Sequence, residues 1–150
     1  MTEPLTPITV TTAEPSILPL VKRFFQSQGM RAQAAKIDVI IIARAPQANN
    51  SAIIGALRLC PVKGGWLLRS MSIRQDYQRQ GIGSLMLGQI KAQLAEKTCY
   101  CFAYRHLQSF YQKAGFKPGD ETAVSEEISQ RYRQYRQKGK DIVLMQSISD

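Results

Sequence analysis

The apolar residues of the chain follow two spacings, which predict strands and helices in alternation. Six short β-branched or apolar runs predict strands at residues 8–13, 36–45, 51–60, 66–73, 98–104 and 141–148. Four runs with apolar residues three and four positions apart predict helices at residues 14–29, 82–94, 106–116 and 123–140. This order predicts one α/β domain, residues 1–150, built around a mixed sheet.

Local signals support several of these boundaries. The segment "PQANN", residues 46–50, is rich in turn formers and predicts a hairpin between the second and third strands. Gly29 and Gly115 predict the ends of the first and third helices, and Ser125 before two glutamates predicts the start of the last one. The second helix is expected to bury one face, made of Ile82, Leu85, Met86, Ile90 and Leu94.

Composition narrows the class of protein. The net charge of +9 favours anionic partners such as nucleic acid, anionic lipid or a phosphorylated small molecule. No apolar run approaches the ~20 residues of a membrane span, and the N-terminal residues do not resemble a signal peptide. Cys60, Cys99 and Cys101 match no zinc or disulfide pattern and are expected to be small buried residues. These features predict a cytoplasmic protein without metal or membrane contact, and they leave a homodimer open.

The stretch "DYQRQGIGSLML", residues 76–87, places two glycines before the second predicted helix. A phosphate-binding turn needs backbone N–H groups that converge without Cβ interference, followed by the partial positive charge of a helix N-terminus. Residues 78–84 meet both demands, because Gly81 and Gly83 allow close approach. A dinucleotide-binding turn would need a third glycine where Met86 stands, and the P-loop lysine is also missing. By itself the stretch fits a phosphate cradle and a plain turn about equally.

A longer stretch around it, "IRQDYQRQGIGSLML" at residues 73–87, resembles the acetyl-CoA-binding signature of the GNAT superfamily of N-acyltransferases. That signature reads Arg/Gln-x-x-Gly-x-Gly/Ala after a strand. A second stretch, "FYQKAGF" at residues 110–116, is similar to the hydrophobic-Tyr-x-x-x-Gly-Phe element of the same superfamily. The resemblance implies a GNAT-like α/β fold, with a mixed, mostly antiparallel sheet flanked by helices and with splayed central strands.

The resemblance also implies N-acetyl transfer from acetyl-CoA to a primary amine of a small molecule or a protein. Backbone amides of the glycine turn would hold the pyrophosphate of coenzyme A, and the preceding strand would pair with the pantetheine arm. Tyr111 would hydrogen-bond the thioester sulfur and protonate the departing thiolate as a general acid. The implied cofactor-binding residues are Met71, Ser72, Ile73, Gln78, Arg79, Gln80, Gly81, Ile82, Gly83 and Ser84.

The sequence departs from the family at the general base. Many members carry a glutamate or aspartate on the strand before the glycine turn, and residues 66–73 contain neither. The alternatives are a water held by Ser70 or Ser72, the carboxylate of Glu121 and the imidazole of His106. The missing carboxylate motivates an alternative function, a non-catalytic acyl-CoA-binding regulatory module.

Two interpretations fit the basic helix at residues 124–138. Its arginines and lysine are expected to form a solvated face while its tyrosines pack inward, and the helix could also border an acceptor site and attract an acidic acceptor. The positive charge alone motivates a third hypothesis, a nucleic-acid-binding protein. The sequence lacks the aromatic-basic stacking motifs of such proteins, so nucleic acid is not the expected partner.

Overall fold

The computed structural model describes residues 8–31, 37–46, 51–94 and 97–148. The strands are β1 (Thr9–Thr12), β2 (Val39–Pro46), β3 (Ser51–Val62), β4 (Gly65–Ile73), β5 (Thr98–Tyr104), β6 (Lys117–Pro118) and β7 (Ile142–Ile148). The α-helices are α1 (Leu18–Ser27), α2 (Ile82–Leu94), α3 (Gln108–Lys113) and α4 (Glu126–Gln137). Short 3₁₀ turns occupy Pro15–Ile17, Gln75–Tyr77 and Arg105–Leu107. Most of the predicted hairpin turn, residues 47–50, lies outside the described residues.

The seven strands form one sheet in the order β1-β2-β3-β4-β5-β7-β6. Strand β2 pairs antiparallel with β1 and with β3, and β7 pairs antiparallel with β5 and with β6. In contrast, β4 and β5 pair in parallel. The predicted α/β class and the mixed, mostly antiparallel sheet flanked by helices are therefore confirmed.

The described chain packs into two compact units. The first comprises the residues up to Leu59 together with Ser70–Ile90, and the second comprises Cys60–Arg69 and the residues from Lys91 onward. Strands β3 and β4 each contribute residues to both units. The single domain expected from the chain length stays a prediction.

Each unit has its own core. In the first unit, α1 places Val21, Phe24 and Phe25 against Ile40, Ile42 and Ala56 of the sheet. In the second unit, α4 places Ile128 against Leu67 and Leu144. Helix α4 begins where Ser125 predicts it, because the Ser125 side chain accepts a hydrogen bond from the N–H of Ile128 at 3.4 Å.

Four expectations were wrong in detail. Residues 117–118 lie outside the six predicted strands, yet they form the short strand β6 along β7. The third helix is shorter than predicted, since its first residues form a 3₁₀ turn. Cys60 is half-buried rather than buried. Leu85 is 57% exposed, because the buried face of α2 follows the four-residue spacing of Ile82, Met86 and Ile90, and Leu85 lies about 100° away from Met86 around the helix.

Candidate functional site

Strand β4 parts from β5 near its middle. The parallel pairing runs from Gly65 opposite Thr98 to Leu68 opposite Cys101. Arg69 and Phe102 come next in the two strands and are not paired with each other. Ser70 then adopts a left-handed backbone conformation with φ +57°, which bends the strand as a bulge does. The sequence gives no signal for this bend, because left-handed residues are mostly glycine, asparagine or aspartate.

The residues between β4 and the glycine turn are held by side-chain contacts. The guanidinium of Arg74 binds both oxygens of the Asp76 carboxylate, at 3.1 Å and 2.6 Å. The Gln78 amide donates to the carbonyl oxygen of Ile73 at 2.9 Å, and the Gln80 amide donates to the carbonyl oxygen of Asp76 at 3.3 Å. The side chain of Gln78 thus ties the turn to the end of β4.

The glycine turn leads directly into α2, as the sequence predicts. Arg79 and Gly81 have left-handed conformations, with φ +64° and +80°, and α2 begins one residue after Gly81. The helical hydrogen bonds of α2 begin at Leu85, whose amide donates to the carbonyl oxygen of Gly81 at 3.2 Å. The amides of residues 82–84 precede it and have no helical acceptor. Such a helix start can bind an anion through its N–H groups and its dipole.

Backbone strain is concentrated around this turn. Within the described part of the chain, Ser70 and Arg79 are the non-glycine residues with positive φ. A left-handed conformation costs an ordinary residue about 1–2 kcal/mol. Strained residues cluster at binding and catalytic sites. Ser70 and Arg79 therefore support a binding site formed by the end of β4 and the glycine turn, where the spacing of the glycines also predicts one.

The structure brings the expected cofactor-binding residues together in the first unit. Met71, Ser72 and Ile73 form the end of β4, and Gln78 to Ser84 form the turn and the start of α2. Tyr111 belongs to α3 in the second unit.

Tyr111 is half-buried between two aromatic rings. It makes edge contacts with Phe110 and Phe116, at centroid distances of 5.2 Å and 5.7 Å. Its carbonyl oxygen accepts hydrogen bonds from the amides of Ala114 and Phe116, both at 3.0 Å. Burial raises the pKa of the Tyr111 hydroxyl above its ordinary value, and the nearby Cys101 and Cys99 thiols raise it further. The hydroxyl therefore stays protonated at neutral pH and can act as a hydrogen-bond donor.

The two thiols beside Tyr111 predict a loss of stability in alkali. Burial raises the pKa of Cys99 to about 12 and also raises the pKa of Cys101, the latter with help from Cys99. In the unfolded chain a thiol ionises near pH 8.5, so above that pH the unfolded state releases protons that the folded state keeps. Each pH unit above about 8.5 should lower the free energy of unfolding by about 1.4 kcal/mol per buried thiol.

Urea unfolding at about pH 8 and about pH 10 measures this slope. Cys99→Ala is the matched variant, because it removes one of the two thiols and should reduce the slope while adding a pH-independent cavity cost. An unfolding free energy that does not change between these pH values would contradict the prediction.

The serines expected to hold a catalytic water lie in the first unit. Ser72 donates a hydrogen bond to the side-chain oxygen of Gln28, just after α1, at 3.5 Å. Ser70 lies at the bend of β4.

The other two candidates for the general base lie in the second unit. The carboxylate of Glu121 is 3.8 Å from the guanidinium of Arg133. His106 is exposed in the 3₁₀ turn after β5, and its ring stacks on Tyr104 at 5.9 Å. Each of these side chains thus contacts another residue of the second unit: Glu121 contacts Arg133, and His106 contacts Tyr104.

Among the described residues, no three side chains of the metal-binding types His, Cys, Asp and Glu are grouped together. None of their helices has the length and apolar character of a membrane span.

The acetyltransferase (GNAT) domain family matches the chain over residues 38–118. That range contains β4, the glycine turn, α2 and Tyr111, and it exceeds half of the 150 residues. The chain therefore belongs to the GNAT acetyltransferase family, and the resemblance carried by its two motifs is confirmed.

Solved structures of other GNAT proteins share the fold. N-acetylglutamate synthase from Neisseria gonorrhoeae, complexed with coenzyme A and N-acetyl-glutamate, is 13% identical with a TM-score of 0.65, over 95% of this chain and 35% of that chain. A GNAT acetyltransferase from Staphylococcus aureus is 12% identical with a TM-score of 0.64, over 96% of this chain and 100% of that one. Tetrahymena GCN5 is 13% identical with a TM-score of 0.62, over 96% of each chain.

At 12–13% identity, these likenesses show that the fold is shared. This chain spans about a third of the length of the Neisseria enzyme. No curated protein matches the chain in sequence.

Proposed function

We propose that the protein transfers the acetyl group of acetyl-CoA to a primary amine by direct attack of the amine on the thioester. Family membership supports acetyl transfer in general. The observation that carries the cofactor assignment is the turn at Arg79 and Gly81, whose left-handed residues lead directly into the start of α2, where the first amides have no helical acceptor. The cytoplasm is the proposed compartment, since three cysteine thiols suit a reducing environment.

The proposed cofactor contacts are mainly with the backbone. The amides from Arg79 to Ser84 bind the pyrophosphate, and Gln78 supports them by holding the carbonyl of Ile73. The backbone of Met71, Ser72 and Ile73 binds the pantetheine arm in the manner of an added strand. Backbone recognition of this kind makes little demand on side chains, which is consistent with the low identity to other members of the fold.

Tyr111 is the proposed general acid. When the amine attacks, a C–N bond forms and the C–S bond breaks, so negative charge develops on the sulfur. The Tyr111 hydroxyl donates a hydrogen bond to that sulfur, and its proton leaves with the thiol. The raised pKa of Tyr111 makes it a weaker acid than an ordinary tyrosine, so the proton moves only as the C–S bond breaks and the thiolate forms. Water takes the proton that the attacking amine loses, and water re-protonates Tyr111.

Acetyl-CoA binding and thiol release test this proposal. Saturating acetyl-CoA should raise the melting temperature, since it binds the folded state alone. Tyr111→Phe should lower kcat by about 100-fold with little change in the KM for acetyl-CoA, because a general acid acts after binding. Tyr104→Phe is the control, since it removes a hydroxyl from a side chain that is 46% exposed on β5.

The absence of any thermal shift with acetyl-CoA would overturn the proposal. Unchanged turnover in Tyr111→Phe would overturn the acid role of Tyr111 and leave the rest of the proposal standing.

The absence of a carboxylate from β4 favours a second candidate function, a non-catalytic module that binds acyl-CoA and regulates a partner. This candidate predicts tight acetyl-CoA binding without thiol release for any amine. The thermal shift and the thiol assay together separate the two functions.

A further inference from the structure

Cationic and aromatic side chains meet where β4 parts from β5, on the face covered by α4. We call Arg69, Phe102, Tyr132, Tyr135, Arg136 and Lys140 the α4 cluster; all six belong to the second unit. The Phe102 ring stacks on Tyr132 at 5.9 Å and makes an edge contact with Tyr135 at 5.6 Å. The tyrosines of the basic helix thus pack inward, as its sequence pattern predicts.

The three cations of the cluster contact neutral groups. The Arg69 guanidinium donates to the hydroxyl of Tyr135 at 3.3 Å. The Arg136 guanidinium lies 5.6 Å from the centroid of the Tyr132 ring, and the Lys140 ammonium lies 4.7 Å from that of Tyr135. None of the ion pairs of the described residues includes these three side chains. Their charge is therefore left without a carboxylate partner in the described part of the chain.

Three carboxylates of the second unit pair with other arginines. Glu121 and Glu126 pair with Arg133, and Asp141 pairs with Arg105. An arginine has five N–H donors, and the Tyr135 hydroxyl accepts from one of those of Arg69. Arg69 is also half-buried, where an ionic hydrogen bond is stronger than in open solvent. The cluster thus offers a partly desolvated guanidinium that one hydrogen bond orients.

The cluster lies opposite Tyr111 across β5. Cys99, Cys101 and Ala103 face one side of the strand, the side whose thiols influence Tyr111. Phe102 faces the other side, toward α4. Arg69 and Phe102 are the first residues after the last β4–β5 pair, so the cluster begins where the two strands separate.

We propose that the α4 cluster binds the acceptor, and that the acceptor is an amine that also carries a carboxylate. This inference rests on the proposed function. The planar guanidinium of Arg69 matches a carboxylate in a two-pronged hydrogen bond, and Arg136 and Lys140 add positive charge. The Tyr135 hydroxyl acts as a positioning group, because it orients Arg69 without neutralising it.

A paired acceptor panel tests the proposal. The probes are the common amino acids, each assayed with acetyl-CoA beside its own carboxamide, which keeps the amine and removes the negative charge. The carboxylate form should show at least about tenfold higher kcat/KM, the effect expected of one charge-assisted hydrogen-bond pair. The carboxamide carries the less basic amine and so holds more of the reactive neutral form at a given pH, which works against the expected preference.

Arg69→Gln should abolish this preference through the KM for the carboxylated amine, while the KM for acetyl-CoA and its thermal shift remain unchanged. Arg133→Gln is the charge-matched control, because Arg133 is on the same helix as the tyrosines and binds glutamates instead. Tyr135→Phe should weaken the preference less than Arg69→Gln, since it leaves the guanidinium in place.

The outcomes distinguish this inference from the proposed function. If the wild-type protein shows no thermal shift with acetyl-CoA, the proposed function fails and the inference fails with it. If acetyl-CoA binds but no carboxylated amine of the panel is acetylated, or the preference survives in Arg69→Gln, the inference alone is overturned.

Discussion

Replacing Gly65 by alanine should destabilise the protein by about 3 kcal/mol, a large part of the roughly 5–15 kcal/mol of a typical domain. A Cβ at Gly65 would collide with the carbonyl oxygen of Thr98, its partner at the first position of the β4–β5 pairing. Other backbone atoms of Thr98 would lie 3.0–3.2 Å away, so a side-chain rearrangement cannot relieve the clash. The two strands must separate, which removes the parallel pairing.

Urea unfolding measures this loss, and Gly88→Ala is the matched control. Gly88 lies within α2, and a Cβ there meets no atom within 4 Å. The same substitution at Gly88 should therefore stabilise the protein by about 0.5–1 kcal/mol, because alanine favours a helix. A Gly65→Ala protein within about 1 kcal/mol of the wild type would contradict the steric argument.

Replacing Gly81 by alanine should weaken acetyl-CoA binding by about tenfold to a hundredfold. Gly81 has a left-handed conformation directly before α2, and a Cβ there would fill the space that the proposed pyrophosphate needs. In the protein without ligand, a Cβ at Gly81 meets nothing within 4 Å, so the fold itself should tolerate the change. Titration calorimetry with acetyl-CoA gives the affinity.

Gly64→Ala separates lost binding from backbone strain. Gly64 has φ +83°, almost the same as Gly81 at +80°, and a Cβ at either position has open space around it. Each substitution should cost about 1–2 kcal/mol of stability, because alanine is strained in this conformation. Equal affinities of the two variants for acetyl-CoA would show that the turn at Gly81 does not bind the cofactor.

The sequence was sufficient for the elements whose signals are local. The spacing of apolar residues placed α1, α2 and α4, and Ser125 marked the start of α4 through its own hydroxyl. Gly81 in the turn indicated a left-handed backbone conformation that ordinary residues avoid. In each case the residue that predicts the element also forms it, through its own packing, hydrogen bond or backbone conformation.

Other features depend on partners far away in the sequence. Strand β6 has only two residues, and its pairing with β7 rather than its composition makes it a strand. The bend at Ser70 cannot be read from a serine, since the surrounding structure imposes it. The α4 cluster joins Arg69 to Tyr135 over 66 positions, and no spacing rule in the sequence connects them.

The position of β7 has a consequence for the protein as it is being synthesised. In the sheet β7 lies between β5 and β6, yet it follows both along the chain. Until residues 142–148 emerge from the ribosome, β5 has no β7 partner and Leu144 is missing from the core around Leu67 and Ile128. Translation proceeds at about 5–20 residues per second, so β5 exposes an open edge for some seconds. An open edge can pair with another chain, which makes this interval of synthesis prone to aggregation.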